Sequence, residues 1–293
     1  MYSEIAANKR KTVLLITVFL IIISTIAYFG GVYFGDFTIT IGAMIGALVY
    51  VLFSYYGSAS AALAFNGAKE IQKSDNPRLW RTVENLSITE GLPMPKVYII
   101  DDPGLNAFAT GRDPKHASVA ITSGLLNALD DSELQGVMAH ELAHVKNYDI
   151  RVSIVVFGLV AVISIMADIL LRISIFGGNR RDENGGGSIM MVLGIIAMIL
   201  APIVAALIQA AISRKREYLA DATGALTTRY PEGLASALEK IKAGSSATKR
   251  QNTSTAHLFF ANPMKGKSLS HMFSTHPPVD DRIAKLRGMD SKL

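Results

Sequence analysis

His140 and His144 stand four residues apart, with Glu141 directly after the first, in the run His140-Glu141-Leu142-Ala143-His144. On a helix that spacing puts both imidazoles on one face, close enough to bind one tetrahedral ion. Glu141 lies about 100° around the helix from His140, where it reaches a water activated by the ion without displacing it. These residue types suit hydrolysis of an amide. The ion acidifies water and polarises a carbonyl, while the carboxylate takes the proton of the attacking water and returns it to the leaving amine. Two histidines at this spacing on an arbitrary helix are more often surface residues, so the surrounding pattern decides. Asp130 and Glu133 have the spacing of a capping box, and Leu134, Val137, Met138 and Leu142 recur at helical period. A helix over Asp131–Asn147 follows, with the acid where hydrolysis needs it.

A catalytic ion needs a third protein ligand and an open position for water. The chain contains no Cys, which removes thiolate ligands, Cys nucleophiles and disulfides together. His116, His257, His271 and His276 remain as candidates, along with several carboxylates. Glu217 and Asp221 in REYLAD are also four apart, so Glu217 can complete a His2Glu set while Asp221 accepts a hydrogen bond from the outward nitrogen of a ligand histidine. Spacing alone leaves that reading level with its alternative, a solvated charge cluster with Arg214, Lys215 and Arg216.

The elements around these residues belong to a membrane. Half of the 293 residues are hydrophobic and 18% are charged, which is far from a soluble average. Val13–Phe34 carries no formal charge over 22 residues, enough for a helix of about 33 Å against a hydrocarbon core of about 30 Å. Its length marks an uncleaved anchor and not a signal peptide. A second span fits Phe37–Tyr56, where Gly42 and Gly46 form a GxxxG spacing. Val152–Phe176 is a third apolar run, interrupted by Asp168 and Arg172 at a spacing that lets them pair. Ser188–Ser213 is a fourth, joined to the third by a Gly-rich turn. Lys9, Arg10 and Lys11 precede the first run, Lys69 and Lys73 follow the second, Lys146 and Arg151 precede the third, and Arg214–Arg216 follow the fourth. By the positive-inside rule these ends face the cytoplasm, with both termini. The net charge of +5 is therefore a topology signal, and no basic stripe interleaved with aromatics points to nucleic acid.

HELAHVKN, an apolar hairpin, EYLAD and THPPVDDRI follow one another as in the HtpX family of membrane zinc metallopeptidases, related to the CAAX prenyl protease type of gluzincins. GLPMPKVYIIDDPGLNAFATGRDPKHASVAIT also resembles that family, and the likeness covers nearly the whole chain. It implies one Zn2+ per chain on His140, His144 and Glu217, with Glu141 as base and Asp221 behind a ligand. It also implies that His276 and Arg282 lean over the zinc to stabilise the oxyanion. Three short strands are expected between Lys96 and Thr122, and the resemblance makes Asn106, Ala107, Phe108 and Ala109 an exposed edge that pairs with the substrate backbone.

The expected protein is an α-helical integral membrane protein with four transmembrane helices and a cytoplasmic α+β zincin-like (gluzincin) domain. Residues 1–65 form the first membrane region and 151–213 the transmembrane hairpin. Residues 66–150 and 214–293 supply the two parts of the peptidase domain. The expected activity is that of a zinc metalloendopeptidase of the bacterial inner membrane, acting in quality control on protein substrates, membrane proteins foremost. Two other classes compete. A metal-binding chaperone would not require Glu141, and a transporter would carry its ionisable groups inside the spans, where only Asp168 and Arg172 lie.

Overall fold

The computed structural model describes residues 2–176, 214–244, 247–249, 258–261 and 277–290. The fourth apolar run and the side chains of Asp168 and Arg172 lie outside the described residues.

Two long helices open the chain, α1 (Tyr2–Phe34) and α2 (Phe37–Phe65). Gly35 turns the chain at φ 67°, a left-handed conformation that suits glycine. Asp36 then caps α2 by accepting from the Thr38 amide at 2.8 Å. The helices form an antiparallel pair with the Lys9–Lys11 end of α1 at the same side as the Phe65 end of α2. Glu4–Tyr28 and Thr40–Phe65 are long and apolar enough to cross a membrane. Leu14, Ile21, Ile45 and Phe53 point outward, as lipid-facing side chains do, whereas Leu15, Phe19, Ala47 and Val51 pack inward on a third helix. Among the described residues, a Cβ on Gly42 or Gly46 would meet no atom within 4 Å. The tight approach is at Gly158 of the third helix, where a Cβ would collide with Ser54 Oγ.

The α/β region carries a four-stranded sheet in the order β1-β2-β4-β3, from β1 (Ala68–Glu70), β2 (Lys96–Ile100), β3 (Ala107–Gly111) and β4 (Ala117–Thr122). Only the β2–β4 pairing is parallel. The expected three strands are present, and β1 adds a fourth that three residues of sequence pattern could not announce. Asn76 caps α3 (Pro77–Glu90), and Gly91 closes it in the left-handed conformation. Short α4 (Ser123–Ala128) leads from β4 to α5 (Asp131–Lys146).

The capping box forms as expected: Asp130 accepts from the Glu133 amide at 2.9 Å and Glu133 accepts from the Asp130 amide at 2.8 Å. At Tyr148 the backbone turns left-handed (φ 62°), and the chain bends by 78° into α6 (Asp149–Phe176). Two further helices, α7 (Arg214–Thr228) and α8 (Pro231–Ala243), pack on α5, and α9 (Val279–Asp290) packs on both of them. Two glycines allow it. A Cβ on Gly136 would lie 2.7 Å from the Leu234 nitrogen of α8, and one on Gly224 would lie 3.0 Å from the His140 nitrogen. The result is a mostly helical protein with two candidate membrane helices at its N-terminus and an α/β region beyond them.

Candidate metal centre

Helix α5 is buried along almost its whole length, so its polar residues must find partners inside the protein. His140 is 1% exposed and Glu141 3%. Across the Gly224 contact, α7 brings Glu217 to the same place. The ligand atoms of His140, His144 and Glu217 all lie within 4.8 Å of one another, the one group among the described residues that could hold a metal ion.

The hydrogen bonds behind the histidines fix which nitrogens face inward. His140 Nδ1 lies 2.9 Å from Asp221 Oδ1, and His144 Nδ1 lies 3.0 Å from Asp149 Oδ2. An ionised carboxylate only accepts, so each Nδ1 donates and each Nε2 presents a lone pair. The two Nε2 atoms face each other at 3.1 Å. Two lone pairs at that distance repel unless a cation lies between them. Two nitrogen ligands of a tetrahedral zinc would be separated by about 3.3 Å, from bonds of about 2.0–2.1 Å. Glu217 adds Oε1 at 3.6 Å from His144 Nε2 and Oε2 at 3.7 Å from His140 Nε2. The donor set, its spacing and the carboxylates behind it all fit zinc.

Without metal the cation is a proton, and the two imidazoles do not share it equally. Burial dominates for His140 and lowers its pKa to about 4, against the opposing pull of Asp221. Burial would lower His144 as well, but the Asp149 hydrogen bond and the charges of Glu217, Asp149 and Glu141 overcome it and raise the value to about 9. His144 thus holds the proton and donates it to His140. Asp221 is buried too, yet the charge of Arg282 and the bonds from His140 and Arg282 hold it down at about 2.

Arg282, on α9, is almost wholly buried. Its Nε and Nη2 bind the two oxygens of Asp221 at 2.8 and 2.7 Å, and the guanidinium stacks over Phe260 at 4.9 Å. Its Nη1 lies 3.9 Å from Glu217 Oε2, and its Nη2 lies 3.5 Å from His140 Nδ1. His276, expected beside it, lies outside the described residues, as do His257 and His271. His116 sits away from the cluster, half-exposed and bonded to Asp113.

The expected substrate strand is at the edge of the sheet, but it is not exposed. Asn106, Ala107, Phe108 and Ala109 are all buried. The Phe260 amide donates to the Ala107 carbonyl at 2.8 Å, and the Asn106 side chain clamps Ala261 by donating to its carbonyl at 2.7 Å and accepting from its amide at 3.0 Å. Phe259 stands edge-on to Phe108, and Phe260 edge-on to His140. Residues 258–261 thus lie along β3 and against the metal-binding face. Sequence reading did not find this segment, nor Asp149. The latter lies five residues after His144, a spacing that reaches back to the imidazole only because the helix breaks at Tyr148.

A HExxH helix, a carboxylate helix packed across it and an apolar helix pair at the N-terminus together define a membrane metalloprotease. The chain belongs to peptidase family M48, whose sequence profile matches residues 73–290. It is 53% identical over 293 residues to the "Protease HtpX homolog" of Tropheryma whipplei (strain Twist), covering all of both chains. It is 46% identical to that of Lactobacillus acidophilus, covering 99% of this chain and all of the other. Among solved structures, the fold matches S. mikatae Ste24p with a TM-score of 0.52 at 20% identity, over 98% of this chain and 67% of that one.

Proposed function

We propose that the protein is a zinc-dependent endopeptidase whose site is built by His140, His144 and Glu217 as ligands and Glu141 as base. The observation that carries this reading is the pair of inward-facing Nε2 atoms 3.1 Å apart, each imidazole held from behind by a carboxylate. One zinc per chain would supply Lewis acidity there, acidifying a water and polarising the scissile carbonyl. Asp221 and Asp149 hold the imidazoles in the tautomer that points Nε2 inward. Glu141 accepts the proton of the attacking water and passes it to the leaving amine. Arg282 secures Asp221 behind His140, and His276 supplies the positive charge that the developing oxyanion needs. Pairing of an extended substrate with Asn106–Ala109 requires residues 258–261 to leave that edge, since the Phe260 amide now occupies the Ala107 carbonyl.

The topology follows from where the site sits. Asn8 of α1 touches the α5–α6 corner, one residue before Lys9, Arg10 and Lys11. The positive-inside rule puts that end of α1, and the metal site with it, in the cytoplasm. Four spans complete the arrangement, with residues 66–150 and 214–293 forming one peptidase domain at the inner membrane of a bacterium. A site so close to the bilayer suits damaged or unassembled membrane proteins as substrates, and relatives called "Protease HtpX homolog" agree with a proteolytic role.

The test is Glu141→Gln in the purified full chain. Zinc content should stay near one per chain while cleavage of a defined peptide falls by orders of magnitude. Loss of metal together with activity would make Glu141 structural, and full activity would end its assignment as base.

A further inference from the structure

Resting on that reading of the metal site, the geometry points to a further component of it: we propose that the N-terminal membrane helix is a working part of the zinc site, with Asn8 as a positioning residue for His144. Asn8 is 4% exposed, and its Nδ2 donates to Asp149 Oδ1 at 2.7 Å and to the Asn147 carbonyl at 2.9 Å. The other oxygen of the same carboxylate, Oδ2, accepts from His144 Nδ1 at 3.0 Å. Arg216 Nη1 is a longer contact to Oδ1 at 3.4 Å. The short donor that holds Oδ1 is therefore the Asn8 amide.

The consequence follows from simple geometry. A carboxylate bonded at one oxygen alone can rotate about its Cβ–Cγ bond, and an imidazole resting on it turns with it. Bonded at both oxygens, it fixes the plane of the His144 ring and keeps the proton on Nδ1, so that the Nε2 lone pair stays aimed at the ligand site. By bonding the Asn147 carbonyl as well, Asn8 also grips the corner where α5 turns into α6, beside the left-handed Tyr148. Lys9 stacks over the Tyr148 ring at 4.8 Å, a second contact to the same corner. A buried amide is costly unless its bonds are made, and here both donors are used. Asn8 lies well outside the segment, residues 73–290, that defines the peptidase family. A peptidase region severed from α1 would keep every ligand and lose this support.

The experiment measures zinc affinity by competition with a chromophoric chelator, on the full chain in detergent, with the thermal midpoint of the metal-free form recorded alongside. Outer partners of ligand histidines typically matter 10- to 100-fold in metal affinity, so Asp149→Ala should weaken binding by about that factor. Asn8→Ala, one bond further out, should weaken it by about 3- to 10-fold. Asn8→Asp keeps the shape, removes the donor and sets a second carboxylate against Asp149, so it should weaken zinc at least as much without depending on how well the alanine variant folds. The two sites must also be coupled: Asn8→Ala should cost nothing further in an Asp149→Ala background. Leu15→Ala, which loosens the packing of α1, should lower the thermal midpoint and leave zinc affinity unchanged. Wild-type affinity in both Asn8 variants, full additivity in the double variant, or an equal loss in Leu15→Ala would overturn the proposal. His144→Ala separates this from the underlying reading: if that variant keeps wild-type affinity, the ligand assignment itself fails.

Discussion

Arg282→Ala separates two things that Arg282 could do. In the structure its guanidinium is bidentate on Asp221, both groups nearly inaccessible, with rings of His140 and Phe260 around them. Removing the arginine leaves a carboxylate, held at a pKa of about 2 by that pairing, with His140 as its main remaining partner. Breaking a buried pair from one side costs about 3–5 kcal/mol, because the orphaned charge keeps its desolvation penalty. For a domain of about 165 residues, that corresponds to a fall of about 6–20 °C in the thermal midpoint. Adding Asp221→Asn removes the orphaned charge while keeping an oxygen for His140 Nδ1, so the double variant should recover a large part of the loss. The assay is thermal unfolding in detergent with zinc content and steady-state kinetics on a defined peptide, activity being normalised to the folded, zinc-loaded fraction. Normalised kcat should then change far less than stability. An unchanged midpoint and zinc content with kcat down by about 10²-fold would refute this reasoning and assign Arg282 to the oxyanion.

Glu217→Ala should weaken zinc binding sharply, since only two strong protein ligands remain, and chelator competition checks it; retained affinity would send the search to His257 or His271. Zinc affinity should depend on pH because the metal-free pair holds a proton on His144, whose pKa is raised to about 9. Zinc must expel that proton, so apparent affinity should rise about tenfold per unit from pH 7 toward 9 and then level off, with about one proton released per zinc at pH 7 by calorimetry. The same raised value stabilises the metal-free fold fully below the unfolded pKa of 6.5, and that contribution is lost as pH climbs through about 9, so the metal-free midpoint should fall over this window. A flat affinity profile would show that His144 is not protonated in the empty site. Reporters placed after Gly186 should read exterior, while those at the N-terminus, near Lys115 and at Leu293 should read cytoplasm; a cytoplasmic signal at Gly186 would mean that the third and fourth runs do not both cross.

The parts of the site that were legible in sequence are those whose geometry is set within one helix. His140, Glu141 and His144 belong to a single helical turn, so their spacing carried their arrangement, and the Asp130–Glu133 box announced the helix that holds them. Glu217 and Asp221 were legible as a pair, and their spacing left it open whether they meet the histidines, because nothing in REYLAD shows which helix it meets. That contact depends on Gly224, whose missing side chain lets α7 lie against the His140 backbone. Periodicity likewise marked the long helices and three strands, while β1 is too short to carry a pattern and the GxxxG spacing of α2 meets no atom within 4 Å among the described residues.

The residues that stayed hidden act across sequence distances that only the fold closes. Asp149 reaches His144 because the chain breaks at Tyr148, and an unbroken helix would have carried its carboxylate round to another face. Spacing alone says little of Arg282 and the resemblance sets it over the zinc, whereas burial forces it to find a counter-charge, and Asp221 is the one with matching bidentate geometry. Asn8 is the extreme case, 141 residues from the carboxylate it holds and on a helix that composition and charge mark as a membrane anchor. An apolar span is read as an anchor because its bulk is apolar, and one amide beside the charged residues at its mouth is lost in the average. Placed against a buried carboxylate, that residue links the membrane segment to the tautomer of a metal ligand.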